Sequence, residues 1–414
     1  MNFGRIFNGI QIPSPLFWKQ LMPSGTSRCS AQVLANQWLD RCVATNQLSI
    51  VDYRIRLQEL RRAVRLGVDS AGTCTDGVIS ALRQLIDNGW MNNRWHLVSV
   101  DCDHFAAEPW EEGFACCYRN AQCVLSSLFR MSDFRKRLFG GLSAMPSVWK
   151  LQALLEAAWT LGFDPLGASQ LAASVGSDRF HTSPSDNSDL TPDDRNLVGL
   201  VDSTAWLGVS DLVSLFGSIG VRCSLLECRA PSGPNNTHPR LLEHIYSYIL
   251  SGRVSSTSLE VGVISHCASE FVFHTQTLTE FCRLLFLLPI LSMQTFSVPM
   301  ILQHEGHSRV VIGVELDSLN EPTALIVLDP NIPVEAMSLL VKAVERSQSA
   351  DPNISLSHLS YAQYNWAEVL GSLRVDASRL THSQYQLLQV NGLIETEQDL
   401  QDSMTPENIT IAIS

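Results

Sequence analysis

None of the eleven cysteines stands three residues from another. Without a CxxC pair, the chain lacks the ligand spacing of a zinc ribbon or finger. The cysteine count is odd, and the opening "MNFGRIFNGIQIPSPLFWKQLMPSG" has neither a long apolar run nor an A-x-A cleavage signal. Together these predict free thiols in a reducing compartment, cytoplasmic or nuclear. Long apolar runs are also missing. The most apolar stretch, "LLFLLPIL" from Leu284 to Leu291, is interrupted by Pro289 and falls far short of the ~20 residues that span a bilayer. It predicts a buried segment, and no membrane partner is expected. Positive charge is scarce, with 29 Lys and Arg against 41 Asp and Glu and a formal net charge of −12. That argues against a nucleic-acid-binding surface over the whole chain and leaves only a local basic patch open.

The 414 residues are 45% hydrophobic and 17% charged, enough for a substantial core in one large domain or two smaller ones. Residues 1–27 read as irregular. Two helices follow. "SAQVLANQWLDRCVAT" starts at the cap Ser30, and "SIVDYRIRLQELRRAVRLG" runs from Ser49 to a stop at Gly67. The second carries Arg54, Arg56, Arg61, Arg62 and Arg65. A solvated face and a partner-binding arm are both compatible with that run. Residues 28–94 are expected to be a helical region, a candidate partner-binding arm.

From about residue 95 the pattern turns to α/β. "HLVSVDCDHF", "GVRCSLLEC", "HSRVVIGVEL" and "TALIVLDP" read as strands. "SVWKLQALLEAAWTLG" reads as a helix capped by Ser147 and closed by Gly162, and "THPRLLEHIYSYILSG" as one capped by Thr237 and stopped by Gly252. Residues 176–196 are polar and rich in Ser, Asp and Pro, which predicts a disordered insertion within a domain spanning 95–414.

Chemistry concentrates in two places. In "GFACCYRNAQCVLSSLF" (113–129), Ala121, Val124, Leu125 and Leu128 set a helix from about Tyr118, which leaves Cys116 just before the first turn. A helix N-terminus favours a thiolate, although a buried, inert cysteine is the plainer alternative. In "LQHEGHSRVVIGVELDSLNEPTALIVLDPN", His307 opens one strand and Asp329 closes the next. If Val314 faces Pro322 across an antiparallel hairpin, Ser308 faces Leu328 and His307 faces Asp329, with Cβ atoms ~5 Å apart. Taken singly, His307 reads as a surface histidine and Asp329 as the start of a turn before Pro330. Taken together with Cys116 they form a candidate Cys-His-Asp triad.

"ACCYRNAQCVLSSL" resembles the "WGCGYRN-QMLLSSL" nucleophile motif of the ubiquitin-fold-modifier-specific and zinc-finger-containing ubiquitin peptidases. "DHF" (103–105), "FDPLGASQL" (163–171), "THPRLLE" (237–243), "LQHEGHSRVVIGVE" (302–315), "IVLDPN" (326–331) and "HSQYQLLQVNG" (382–392) follow in that family's order. The resemblance implies a papain-like α/β (α+β) peptidase domain with a central mixed sheet flanked by helices. It implies Cys116 as nucleophile, His307 as general base and Asp329 as its orienter, with Gln303 as an oxyanion-stabilising side chain. No cofactor or metal is implied. For His304 and Glu305 the plain alternative is simple loop polarity.

The modifier-specific branch places its histidine just after the Asp-Pro pair, where Asn331 stands here, so the resemblance leans to the ubiquitin-cleaving branch. The implied activity is a thiol-dependent deubiquitinase that hydrolyses isopeptide bonds in polyubiquitin, lysine-63-linked chains being the best-known substrate. A protease for the ubiquitin-fold modifier and a non-catalytic ubiquitin-binding module are the alternatives. The sequence departs from the motif at Phe114, Ala115 and Cys117. If either flanking glycine serves a positive φ, a side chain there costs ~1–2 kcal/mol and weakens catalysis.

Overall fold

A computed structural model of the chain describes residues 30–88, 94–139, 144–175, 199–254, 296–347 and 364–413, together with the two-residue strands Ile6–Phe7, Ile10–Gln11 and Ser360–Tyr361. The expected insertion at 176–196, the apolar stretch 284–291 and most of the expected irregular N-terminus lie outside the described residues.

Caps read from the sequence set the first helices. Ser30 Oγ accepts from Val33 N–H at the head of α1 (Ala31–Ala44), and Ser49 Oγ accepts from Asp52 N–H at the head of α2 (Ile50–Leu66). Gly67 closes α2 at φ 66°, where a glycine meets no Cβ penalty. Next come α3 (Val78–Asp87), β1 (Arg94–Leu97), α4 (Cys116–Arg130) and α5 (Val148–Thr160), the last capped by Ser147. The remaining elements that build the sheet and its cover are α6 (Val209–Ser218), β2 (Val221–Cys228), α7 (Pro239–Val254), β3 (Met300–His304), β4 (His307–Leu316), β5 (Pro322–Leu328), α8 (Val334–Ser347), β6 (Arg374–Asp376), β7 (Tyr385–Leu393) and β8 (Thr410–Ile413).

The eight strands order as β6-β5-β4-β3-β7-β2-β8, with β1 pairing the far half of β4 beyond β3. Every pairing is antiparallel except β8 with β2, so the sheet is mixed. Its two faces bury different clusters. Leu387 joins α3, α7 and α8 through Ile79, Tyr248 and Leu340, whereas the next residue, Leu388, joins α4, α5 and α6 through Tyr118, Leu155 and Phe216. Successive strand side chains point to opposite faces, so helices cover the sheet on both sides.

Several expectations shift. "HLVSVDCDHF" is not one strand: β1 ends at Leu97, and His104–Phe105 pairs instead with Cys74–Thr75. α7 begins at Pro239 and runs through Gly252 to Val254. Gly252 is there for space, because a Cβ would collide with the backbone of Ser297. The assumed hairpin register is also corrected. Val310, not Ser308, faces Leu328, because the turn is two residues tighter on the β4 side than assumed: Leu316, not Val314, faces Pro322, and the two ladder shifts, between Val311 and Gly313 and between Glu315 and Leu316, cancel. Gly313 sits where a Cβ would lie 2.7 Å from His96 O, so only glycine lets β1 close on β4. Finally, α1 and α2 share a buried cluster with α4, through Ala35, Leu39, Leu60 and Ala63 against Tyr118 and Leu125, and the expected boundary at 94/95 falls inside β1.

Candidate active site

Cys116 is the first residue of α4, two residues earlier than the apolar periodicity suggests. The turn before it is built by Glu111, whose carbonyl accepts from Phe114 N–H (3.3 Å) and Ala115 N–H (3.2 Å). Gly113 supplies the left-handed step at φ 92°, whereas Ala115 has φ −89° and Cys117 is an ordinary helical residue. The expected strain at Ala115 and Cys117 is therefore absent, because the position that needs a glycine already has one.

A buried ion network fixes this turn to the helix. Arg119, one turn into α4, donates Nε and Nη2 to the two carboxylate oxygens of Glu111, both at 2.9 Å, and Nη1 to Asp69 Oδ2 at 2.7 Å. The guanidinium is bidentate and almost wholly buried. Glu111 also caps Glu108 N–H, so one arginine pins both ends of the turn that presents Cys116.

The hairpin β4–β5 brings the other two groups to the same end of the sheet. His307 Nε2 lies 3.1 Å from both Oδ1 and Oδ2 of Asp329. The His307 ring also lies close enough to Cys116 to stabilise its thiolate. With Nε2 committed to Asp329, Nδ1 is the nitrogen left for the sulfur. The three expected residues thus meet. Contact with the Cys117 thiol, then hydrogen bonds from His307 and Ser308, outweigh burial and lower the Cys116 pKa to about 4. Burial disfavours charge on His307, but its hydrogen bonds to Asp329 and Cys116 dominate and raise it to about 9. Burial alone would raise Asp329. His307, Arg309 and the Asn331 N–H instead hold it well below the usual carboxylate range. The two opposed shifts favour an imidazolium–thiolate pair.

The neighbouring thiol is excluded from this role. Cys117 is fully buried, donates to Leu207 O at 3.1 Å and lies 3.3 Å from Ser308 Oγ. Its contact with Cys116, then burial, push its pKa well above the ordinary thiol value. Gln303 is 7% exposed and pairs with Ser308 across β3–β4. Its Oε1 accepts from Val209 N–H at the start of α6, which locks the amide and leaves Nε2 as the free donor.

Three contributors carry no distinctive signal of their own in the sequence. Ser308 Oγ accepts from Asn120 Nδ2 at 2.9 Å and helps to lower the Cys116 pKa. Arg309 Nε donates to Asp329 Oδ2 at 2.7 Å. His104, fully buried and pushed down to about 4 by that burial, donates Nε2–H to the Asp329 carbonyl at 2.9 Å. Ser308 and Arg309 read only as strand residues, and His104 only as part of the "DHF" lead-in. Among the described residues no group of His, Cys, Asp and Glu could hold a metal ion, and no helix is long and apolar enough to cross a membrane.

The model of peptidase family C78 matches residues 92–388. Zinc finger-containing ubiquitin peptidase 1 of Bos taurus is 28% identical over 349 residues, covering 84% of this chain and 46% of that protein. The Homo sapiens protein of the same name is 29% identical over 349 residues, with the same coverage of 84% and 46%. This chain therefore spans less than half the length of those relatives. A solved structure, UfSP from C. elegans, has a TM-score of 0.35 at 10% identity and covers 74% of this chain and 35% of that one.

Proposed function

The chain belongs to peptidase family C78, and on that premise we propose that it is a thiol-dependent ubiquitin hydrolase acting on polyubiquitin, with lysine-63 linkages the first to test. The observation that carries this reading is the contact of Cys116 with His307, itself held by Asp329. The Cys116 thiolate attacks the carbonyl carbon of the ubiquitin C-terminal glycine, which the isopeptide bond joins to a lysine Nζ. Gln303 Nε2 and the first-turn N–H of α4 receive the oxyanion. The His307 imidazolium gives its proton to the departing lysine amine, and the C–N bond breaks. Neutral His307 then takes a proton from water, which hydrolyses the thioester and restores the thiol pair. Asp329 keeps the ring in the tautomer that exposes Nδ1.

Asn331 after the Asp-Pro pair supports ubiquitin over the ubiquitin-fold modifier as substrate. The ordinary backbone at Ala115 and Cys117 supports catalysis over mere binding. A second ubiquitin contact is proposed on α2, which exposes Ile50 (59%), Val51 (64%) and Ile55 (51%) beside its arginines. The test is cleavage of tetra-ubiquitin chains of defined linkage. Release of shorter chains by the wild type and none by His307→Asn supports the reading. Inertness toward every chain, with cleavage of a precursor of the ubiquitin-fold modifier, overturns it.

A further inference from the structure

Asp329 has more partners than the orientation of a histidine requires. Its backbone carbonyl accepts from His104, and the adjacent Pro330 carbonyl accepts from Ala107 N–H at 2.8 Å. Asn331 N–H donates to Oδ1 at 3.0 Å. These three bonds fix the carboxylate's place without help from a side-chain cation. Arg309 Nε nevertheless takes Oδ2 at 2.7 Å, closer than either approach of His307.

The guanidinium is held at its other end too. Nη1 lies 3.2 Å from His304 Nε2. Burial, then the neighbouring His382, Arg309 and His307, lower the His304 pKa to about 4, so its ring is neutral and accepts from Arg309. That ring stacks on His382 with centroids 3.9 Å apart and planes 10° apart, and Tyr385 meets it edge-on at 6.0 Å. The charged and titratable groups facing this arginine are thus His307 on its own strand, Asp329 from the end of β5, His304 from β3, and His382 and Tyr385 from the far side. Arg379 lines the same small cavity, and neutral His104 lies behind the Asp329 main chain.

We propose that Arg309 is a positioning residue that tempers the general base: by engaging one carboxylate oxygen of Asp329, it withholds negative charge from His307 and sets the pH at which the imidazolium is lost. The proposal rests on the Cys116–His307–Asp329 reading above. A carboxylate shared between two cations stabilises each less than it would alone, and a nearby cation disfavours a second one. An imidazolium that is less tightly held is a better acid toward the leaving amine, because a general acid works best near the operating pH.

The experiment uses the full chain as wild type, Arg309→Met, Arg309→Gln and Arg309→Lys. The rate of Cys116 alkylation by iodoacetamide is followed against pH, with the modified residue identified by mass spectrometry. Its lower inflection marks thiolate formation and its upper one marks loss of the imidazolium proton. Arg309→Gln retains a hydrogen-bond donor for Asp329 and serves if Arg309→Met does not fold. The upper inflection should rise by about half to one pH unit in Arg309→Met and Arg309→Gln, and stay at the wild-type position in Arg309→Lys. A purely structural role would loosen Asp329 and lower the inflection. A fall, no change, or a rise shared by Arg309→Lys overturns the proposal. Hydrolysis of ubiquitin–aminomethylcoumarin is measured on the same samples. If no variant hydrolyses it while both inflections are present, the proposed activity fails, and Arg309 is still judged by the inflection alone.

Discussion

His307 Nε2 stands 3.1 Å from each carboxylate oxygen of Asp329. The contact fixes the imidazole tautomer, since an Nε2 facing an ionised carboxylate carries hydrogen. It thereby assigns proton exchange with Cys116 to Nδ1. Twenty-two positions separate the pair along the chain, and the turn between β4 and β5 brings them together. Continuing the ladder one step past its last pair, Val310 with Leu328, sets Arg309 opposite Asp329, so His307 reaches the carboxylate diagonally across the hairpin, a separation that long side chains cover.

The pH dependence follows from two opposed shifts. Cys116 is lowered to about 4, so the thiolate persists above that pH, and His307 is raised to about 9, so the imidazolium persists below that one. Hydrolysis of ubiquitin–aminomethylcoumarin should show a plateau between the two values and fall on both sides. His307→Asn removes the cation and its hydrogen bond, so that burial outweighs the Cys117 and Ser308 contacts that remain and the thiol pKa rises. Alkylation of Cys116 at pH 6 should then slow by about 100-fold, and an unchanged alkylation rate would contradict the ion pair.

The adjacent thiols should separate cleanly. Cys116→Ala should lower cleavage by at least about 1,000-fold with little change in melting temperature, because Cys116 is only partly buried. Cys117→Gly should not improve the enzyme, since no positive φ is relieved there. It should instead cost about 1–2 kcal/mol in urea denaturation through lost burial and helix propensity. Loss of the Cys117 contact should also move the acidic limb of activity upward.

Gly252 offers a test of the fold away from the chemistry. Its Cβ position is filled by the backbone of Ser297, whose Oγ accepts from Ser99 N–H at 2.9 Å. Gly252→Ala should destabilise the chain by about 1–3 kcal/mol through overpacking. Tolerance of the alanine in thermal denaturation would place α7 farther from the sheet.

Much of this architecture was legible because its causes are local. Ser30, Ser49 and Ser147 announce their helices by capping three residues on, and the β4 and β5 strands stand out by their apolar runs. Cys116, His307 and Asp329 could be picked out because family motifs flank each of them. The missed features depend on distant partners. The hairpin register differs because Leu316, not Val314, faces Pro322, and the length of a turn leaves no mark in the alternation of apolar residues. Gly252 looked like a helix stop because Ser297, the residue it makes room for, lies 45 positions away. Arg119 and Glu111 read as ordinary polar residues until the fold buries them against each other, and nothing local marks Arg309 as the second holder of Asp329.

The most direct test of the central claim is labelling by ubiquitin that carries a C-terminal propargylamide, followed by mass spectrometry of the adduct. The account predicts one adduct, on Cys116, lost in Cys116→Ala and retained in Cys117→Ala. Attachment to Cys117, or labelling only by the corresponding probe of the ubiquitin-fold modifier, would contradict it.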